Sequence, residues 1–251
     1  MAKYQDHATY LQISRLLKSC FVLAIVAAIT VMLAGPGSRF GIWGFRTGIT
    51  ILRWGAYGAI ATLVISLIGL VLARSGISRR DLITAGLGFL ISLIILGVVG
   101  RWYWTARHVP AIHDITTDTE NPPGFVSILP LRKDALNPSA YGGQEIAAKQ
   151  RTGYPDLGPA ILNASTDQAF KRALSSAREM CWEIVASDPA TGRIEATDTT
   201  FWFGFKDDIV VRISQTDGSS RIDVRSVSRV GLSDVGTNAK RIKRYLKRFK
   251  T

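Results

Sequence analysis

The densest chemistry in the chain lies in the run Arg225-Ser226-Val227-Ser228-Arg229-Val230-Gly231-Leu232-Ser233-Asp234-Val235-Gly236-Thr237-Asn238. It reads as the end of a strand, a tight turn and the start of a helix. Alternation along the strand puts Asp223, Arg225, Val227 and Arg229 on one face and Val224, Ser226 and Ser228 on the other. Two guanidiniums beside a helix N-terminus, with Ser233, Asp234 and Asn238 in the turn and Arg241 one turn on, have the makings of an anion cradle. The plainer reading pairs Arg225 and Arg229 with carboxylates such as Asp223 and Asp198, and leaves Ser233 or Asp234 to cap the helix.

A second candidate is His113 with Asp114 and Asp118, which could supply a base and its orienting acid. Neighbours in an extended chain point to opposite faces, so His113 would need a partner other than Asp114. A structural role, with Asp114 and Thr116 closing turns on a sheet, competes with this. His108, in the connector, is as readily a solvated side chain as a partner in such chemistry. Asp207-Asp208 suits either a cation or a solvated turn, and Cys181 beside Trp182 reads as a core thiol. The sequence holds no Gly-rich phosphate loop, GxSxG elbow, HExxH or paired-Cys motif. Its three histidines are scattered, so neither a metal nor a cofactor is expected. With two cysteines, Cys20 in an apolar run and Cys181 far from it, an intrachain disulfide is not expected.

The elements that must position these groups fall into two parts of different composition. Residues 1–100 carry nine Lys/Arg and two acids, and residues 101–251 carry 22 and 17. The first part holds three long apolar runs, Leu16 to Ala34, Trp54 to Ala73 and Leu82 to Val99. Each is close to the roughly 20 residues that cross a bilayer core. No charge lies mid-span, which favours an anchor over an ion pathway. Lys3 and Arg15 ahead of the first run, with Lys18 near its start, are as in a signal peptide, but its length and the two later runs favour a retained helix. A loop from Gly35 to Arg53 mixes Phe40, Trp43 and Phe45 with three arginines, and a basic turn runs from Arg74 to Asp81. Small residues (Ala56, Gly58, Ala59, Gly86, Gly88, Gly97, Gly100) favour close helix packing. Basic residues number six on one side and five on the other, a weak bias. The cluster ahead of the first span places the N-terminus inside and the following domain outside.

Arg101-Trp102-Tyr103-Trp104 forms an aromatic–basic exit from the third span. Residues 108–164 form a connector in which seven prolines between Val109 and Pro159 argue against a long helix or central strand. Its apolar anchors suggest extended backbone lying on the domain. The core is expected over 165–251. Ser165-Thr166-Asp167-Gln168 is a capping box ahead of a helix from Thr166 to Met180. Four strands follow, Trp182 to Ala186, Arg193 to Phe205, Ile209 to Gln215 and Ser220 to Arg229, with Asp217-Gly218 as a hairpin turn. A last helix from Val235 to Phe249 carries the stripe Ile242, Tyr245, Leu246 and Phe249. The expected class is therefore a three-helix transmembrane anchor followed by an α+β domain, an antiparallel four-stranded meander flanked by two helices. The other face of the last helix carries Lys240, Arg241, Lys243, Arg244, Lys247, Arg248 and Lys250, which suits a solvated face or anionic headgroups. Nucleic acid is not expected, since no recognition motif accompanies the charge.

Several motifs occur in order: Ile112-His113-Asp114-Ile115-Thr116-Thr117-Asp118, Glu120-Asn121-Pro122-Pro123-Gly124-Phe125, Tyr154-Pro155-Asp156, Arg193-Ile194-Glu195-Ala196-Thr197, Phe203-Gly204-Phe205-Lys206-Asp207-Asp208 and Arg225 to Gly231. Together they resemble an uncharacterised bacterial family, domain of unknown function 1499, over roughly residues 108 to 250. The helical region with Gly44-Phe45-Arg46 and Leu52-Arg53-Trp54 looks like the anchor many members carry. The resemblance implies a bacterial envelope protein and supplies no activity, cofactor or catalytic residue. The expectation is a multi-pass inner-membrane protein whose outward-facing domain binds an anionic or amphipathic ligand such as lipid. Two alternatives remain open: a membrane-anchored hydrolase using His113 with Asp114 or Asp118, and a structural subunit of an envelope complex.

Overall fold

The computed structural model describes residues 2–72 and 78–249. Ala73 at the end of the second expected span, Arg74 of the following turn and Lys250 of the basic face lie outside the described residues. The chain divides into a helical unit, residues 1–103 with Trp202–Gly204, and a sheet unit, Trp104–Phe201 with Phe205–Thr251.

Three helices make up the first unit: α1 (Ala2–Arg39), α2 (Phe45–Leu72) and α3 (Arg79–His108). All three are long and apolar enough to cross a bilayer. The expected loop Gly35 to Arg53 shrinks to a tight turn, because α1 runs through Pro36 to Arg39 and α2 starts at Phe45. Ala27, Val31, Ala59 and Ile95 form the apolar centre. The small residues divide by role. A Cβ on Gly58 would meet Ala27 at 3.4 Å and one on Gly88 would meet Ser66 at 3.0 Å, whereas Gly86, Gly97 and Gly100 face open space. Of these five glycines Gly58 and Gly88 serve close packing, as do the buried Ala56 and Ala59. At one end Asp81 of α3 is buried and accepts hydrogen bonds from Ser78 (2.8 Å), Ser14 (2.9 Å) and Tyr10 (3.2 Å). A carboxylate at a helix start also meets the positive end of the helix dipole.

The sheet unit is built on six antiparallel strands rather than the expected four. The meander is present as β3 (Glu183–Asp188), β4 (Arg193–Thr199), β5 (Lys206–Thr216) and β6 (Ser219–Ser228). β4 stops at Thr199, so Phe201, Phe203 and Phe205 lie beyond it. The connector supplies the two extra strands: β1 (Asp114–Thr116) and β2 (Ala160–Leu162) both pair with β6, at Arg225–Val227 and Ser220–Ile222. They satisfy the backbone groups β6 would otherwise leave bare at an edge. The connector also holds a helix, α4 (Gly143–Gly153), which falls in a window free of proline and buries Ala147 and Gln150. Gln150 earns its burial by bonding the β1 backbone, accepting from Thr116 N at 3.0 Å and donating to Thr116 O at 2.6 Å.

The hairpin turn Asp217-Gly218 has φ of 39° and 75°, as a two-residue turn between twisted strands requires. Gly192 has φ of 63°, and a Cβ there would strike Ile213 O at 2.3 Å, so that turn admits only glycine. One face of the sheet is packed by α5 (Thr166–Glu179) and α6 (Thr237–Leu246). Ile194, Ile209, Val211, Ile222 and Val224 point to this side, against Phe170, Ala173, Ile242 and Tyr245. The Ser165 capping box is present in full. The final helix is shorter than expected and ends in a 3-10 turn, Lys247–Phe249. The opposite face is covered by the connector, where Phe125 and Ile128 pack on Val210 and Val227. Glu195, fully buried there, accepts from the N–H groups of Val126 (2.9 Å) and Ile128 (2.8 Å).

Candidate functional site

The residues expected to form one site are divided by the sheet into two buried networks. Alternation along β6 is the cause: Ser226 and Ser228 face the helices, while Arg225 and the following Arg229 face the connector.

On the helix side Arg241 is the hub. Its guanidinium reaches Asp198 at 2.7 Å, Asp207 at 2.6 Å, Ser226 at 3.2 Å and Asn238 at 2.5 Å. Asn238 accepts from Ser226 (2.7 Å) and donates to Ser228 (3.0 Å) and to His113 O (3.0 Å). Burial opposes the charge of Arg241, but Asp207 and Asp198 outweigh it and hold its pKa above the usual value. Arg241 is therefore buried at 5% exposure and does not belong to the basic face of α6, a correction to the helical-wheel assignment. Asp234 caps α6 by accepting from Gly236 N (2.8 Å) and Asn238 N (2.7 Å). Burial pushes its pKa up to about 6, against these two bonds. Ser233 plays a smaller part, accepting from Val235 N at 3.1 Å.

On the connector side Arg225 is clamped by Asp114, with Nε at 2.9 Å and Nη2 at 2.7 Å from its two oxygens. Its remaining donors reach Pro123 O (3.2 Å) and Ser139 O (2.8 Å), and its plane lies over Phe125 and Tyr141. Arg229 binds Asp208 through two bonds of 2.9 and 2.8 Å, and Arg132 binds the same carboxylate at 2.5 Å. Asp207 and Asp208 are thus buried and paired, not a solvated turn. Further along the same face Asp118 and Asp223 share Arg212 and Arg221. Burial would raise Asp223, yet the bonds from Arg221 and Arg212 hold it below the usual carboxylate range.

The His113, Asp114 and Asp118 set does not converge. Asp114 is committed to Arg225, Asp118 to Arg212 and Arg221, and the His113 backbone carbonyl ties β1 to Ser228 N. Among the described residues no group of three or more His, Cys, Asp or Glu side chains is placed to hold a metal ion. Cys181 is exposed at φ of 59° rather than in the core, because the chain reverses there between α5 and β3.

Among the described residues, two concavities of the sheet unit bear on binding. The smaller, about 340 Å³, sits over Arg225 between Phe125, Leu129 and Tyr141. The larger is a groove of about 700 Å³ between the β2 segment and the end of α6. Leu157, Pro159, Ile161, Leu246 and Phe249 give it apolar walls, and Asp156, Lys243 and Lys247 stand in its lining. Ile161 is 57% exposed although apolar. Lys243 meets Asp156 at 3.1 Å in an exposed pair, and such pairs contribute only about 0–1 kcal/mol. Asp156 and Leu157 stand in the Tyr154 to Leu157 stretch, Leu246 and Phe249 in the α6 stripe, and Lys243 and Lys247 on its basic face, whereas Ile161 belongs to no stretch singled out in the sequence. Their meeting was not legible, because it depends on β2 pairing with β6. Arg132, Asn137 and Tyr141 also escaped sequence reasoning, since the connector carries no periodic signal.

Three helices able to span a bilayer, joined to an antiparallel α+β domain with charge networks on both sheet faces, define the class of protein. Residues 114–249, more than half of the chain, match the family described as Protein of unknown function (DUF1499), and the chain belongs to that family. No curated protein matches the chain.

Proposed function

We propose that the sheet domain is a membrane-tethered binding module for an anionic amphiphile, an acyl chain bearing a carboxylate or phosphate head. The observation that carries this is the larger groove, whose apolar walls and two lysines match the two ends of such a ligand. Its volume falls within the roughly 300–1,000 Å³ of small-molecule sites. A head group that displaces Asp156 from Lys243 gives up only an exposed ion pair. Arg225, Arg229 and Arg241, with Ser226, Ser228, Asn238, Asp114 and Asp118, serve this reading as the frame. Their paired charges hold connector, sheet and α6 in one arrangement, so the groove keeps its shape.

In the same proposal the chain is a multi-pass protein of the bacterial inner membrane, N-terminus inside, sheet domain outside. The charge ahead of the first span supports this orientation. The commitment of Asp114 and Asp118 to arginines favours binding over hydrolysis. Native mass spectrometry of the full chain from mild detergent tests the proposal. An anionic amphiphile retained by the protein and lost in Lys243→Glu/Lys247→Glu supports it. A ligand-free chain, or retention equal in the variant, counts against it and favours a structural subunit.

A further inference from the structure

The smaller concavity, over Arg225, shares no lining residue with the groove. Its walls combine Pro122, Phe125, Leu129 and Ala140 with the polar Tyr141 and Arg225. The Tyr141 hydroxyl is enclosed and has no hydrogen-bond partner among the described residues. Burying a hydroxyl without a partner costs free energy. Of the buried side-chain polar atoms orphaned among the described residues, this one alone belongs to a residue lining either concavity. A phenylalanine in its place would keep the ring against Arg225 and avoid that cost, so the fold itself makes no use of the hydroxyl.

Arg225 brings a second donor to the same cavity. A guanidinium has five N–H groups. Three are taken at Nε and Nη2, by the two oxygens of Asp114 and by Ser139 O. Nη1 makes one bond, to Pro123 O at 3.2 Å, which leaves it one N–H without a partner among the described residues. The guanidinium carbon lies 5.2 Å from the ring centre of Phe125 and 5.5 Å from that of Tyr141, so the cation is packed against both rings. Its charge is already cancelled. Asp114 pairs with it in the interior, and the other charges acting on Tyr141 are Arg151 and Glu120, one of each sign. Burial also pushes the Tyr141 pKa up to about 12, so at neutral pH the hydroxyl keeps its proton and donates.

We infer that this cavity binds a small neutral molecule through a carbonyl oxygen, which accepts from Tyr141 Oη and Arg225 Nη1 while the apolar remainder rests on Pro122, Phe125 and Leu129. A carbonyl oxygen has two lone pairs and takes both donors. A carboxylate or phosphate fits less well, because it would give up its hydration with no uncancelled charge to replace it. At about 340 Å³ the cavity lies at the small end of the range for small-molecule sites, which suits a molecule smaller than a lipid. Tyr141 stands in a stretch where Ala140, Gly142 and Gly143 are exposed, so its side chain has freedom to shift onto the ligand. This inference does not depend on the groove.

The test uses the full chain in mild detergent, with fluorotyrosine at its seven tyrosines and the Tyr141 signal identified by its loss in Tyr141→Phe. Three probes of similar shape are compared: phenylacetamide, phenylacetate and isobutylbenzene. Expected are a saturable shift of the Tyr141 fluorine signal with phenylacetamide, severalfold weaker binding of phenylacetate, and no saturable shift with isobutylbenzene. Ligand-observed NMR on the unlabelled Tyr141→Phe chain should show phenylacetamide bound about fivefold more weakly, the loss of one neutral hydrogen bond. The urea midpoint of that variant should be unchanged or higher. Lys243→Glu/Lys247→Glu should bind phenylacetamide as the native chain does. The inference is overturned by no saturable shift with phenylacetamide, by equal affinity in Tyr141→Phe, or by phenylacetate or isobutylbenzene binding as tightly as the amide. A lowered midpoint in Tyr141→Phe would also overturn it, since the hydroxyl would then serve the fold, and so would lost binding in the double lysine variant, which would put the probe in the groove.

Discussion

Arg225 on β6 and Asp114 on β1 form a bidentate pair with bonds of 2.9 and 2.7 Å, each side chain less than a tenth exposed. This pair fastens the connector to the sheet. Removing one partner strands the other charge in the interior, which costs about 3–5 kcal/mol. Arg225→Ala and Asp114→Ala are each expected to lower the unfolding free energy by that amount, read from urea unfolding of the full chain as a lower midpoint at unchanged slope. The double variant should cost less than the two losses added, since it leaves no orphan charge.

The pH dependence of stability should carry the mark of Asp234. Its folded pKa, about 6, lies above the ordinary value of 3.8. A folded state that binds the proton more tightly is favoured where the group is protonated. Its contribution is therefore fully present below about 3.8 and is lost as pH rises through about 6. Melting temperatures of the native chain and Asp234→Asn across pH 4 to 8 check this. The native chain should lose ground to the variant as pH rises through that window.

Ser165→Ala removes the side chain that accepts from Gln168 N and breaks the capping box of α5. A loss of about 1 kcal/mol is expected, measured as a shift in urea midpoint without change in slope.

Cys181 offers a direct reading of topology. It is exposed in the sheet unit, whereas Cys20 is buried in α1. With the domain outside, a membrane-impermeant maleimide added to cells with a permeabilised outer membrane should label Cys181. Protection until the inner membrane is lysed would place the domain inside.

Much of the fold was legible because its signals are local. The three apolar runs, the Ser165 box and the Asp217-Gly218 turn each depend on a few neighbouring residues. The meander was legible through alternation. β1 and β2 were not, because three-residue strands carry no period and exist only by pairing with β6. The site divided in the same way. The faces of Arg225 and Ser226 followed from strand alternation, but their partners Asp114 and Asn238 lie on other elements. The placing of Arg241 on the basic face failed for a related reason: a helical wheel ranks charge as outward, and Asp198 and Asp207 on the sheet draw this arginine in.

The proposed binding function rests on the groove between β2 and α6, and photo-crosslinking tests it most directly. The full chain is reconstituted in bilayers containing an anionic phospholipid with a photoreactive acyl chain, irradiated and mapped by peptide. The account predicts adducts on Leu157 to Ile161 and on Leu246 to Phe249, beyond those on α1 to α3, and their loss in Ile161→Asp. Adducts confined to the spans, with the groove peptides unmodified, would contradict it.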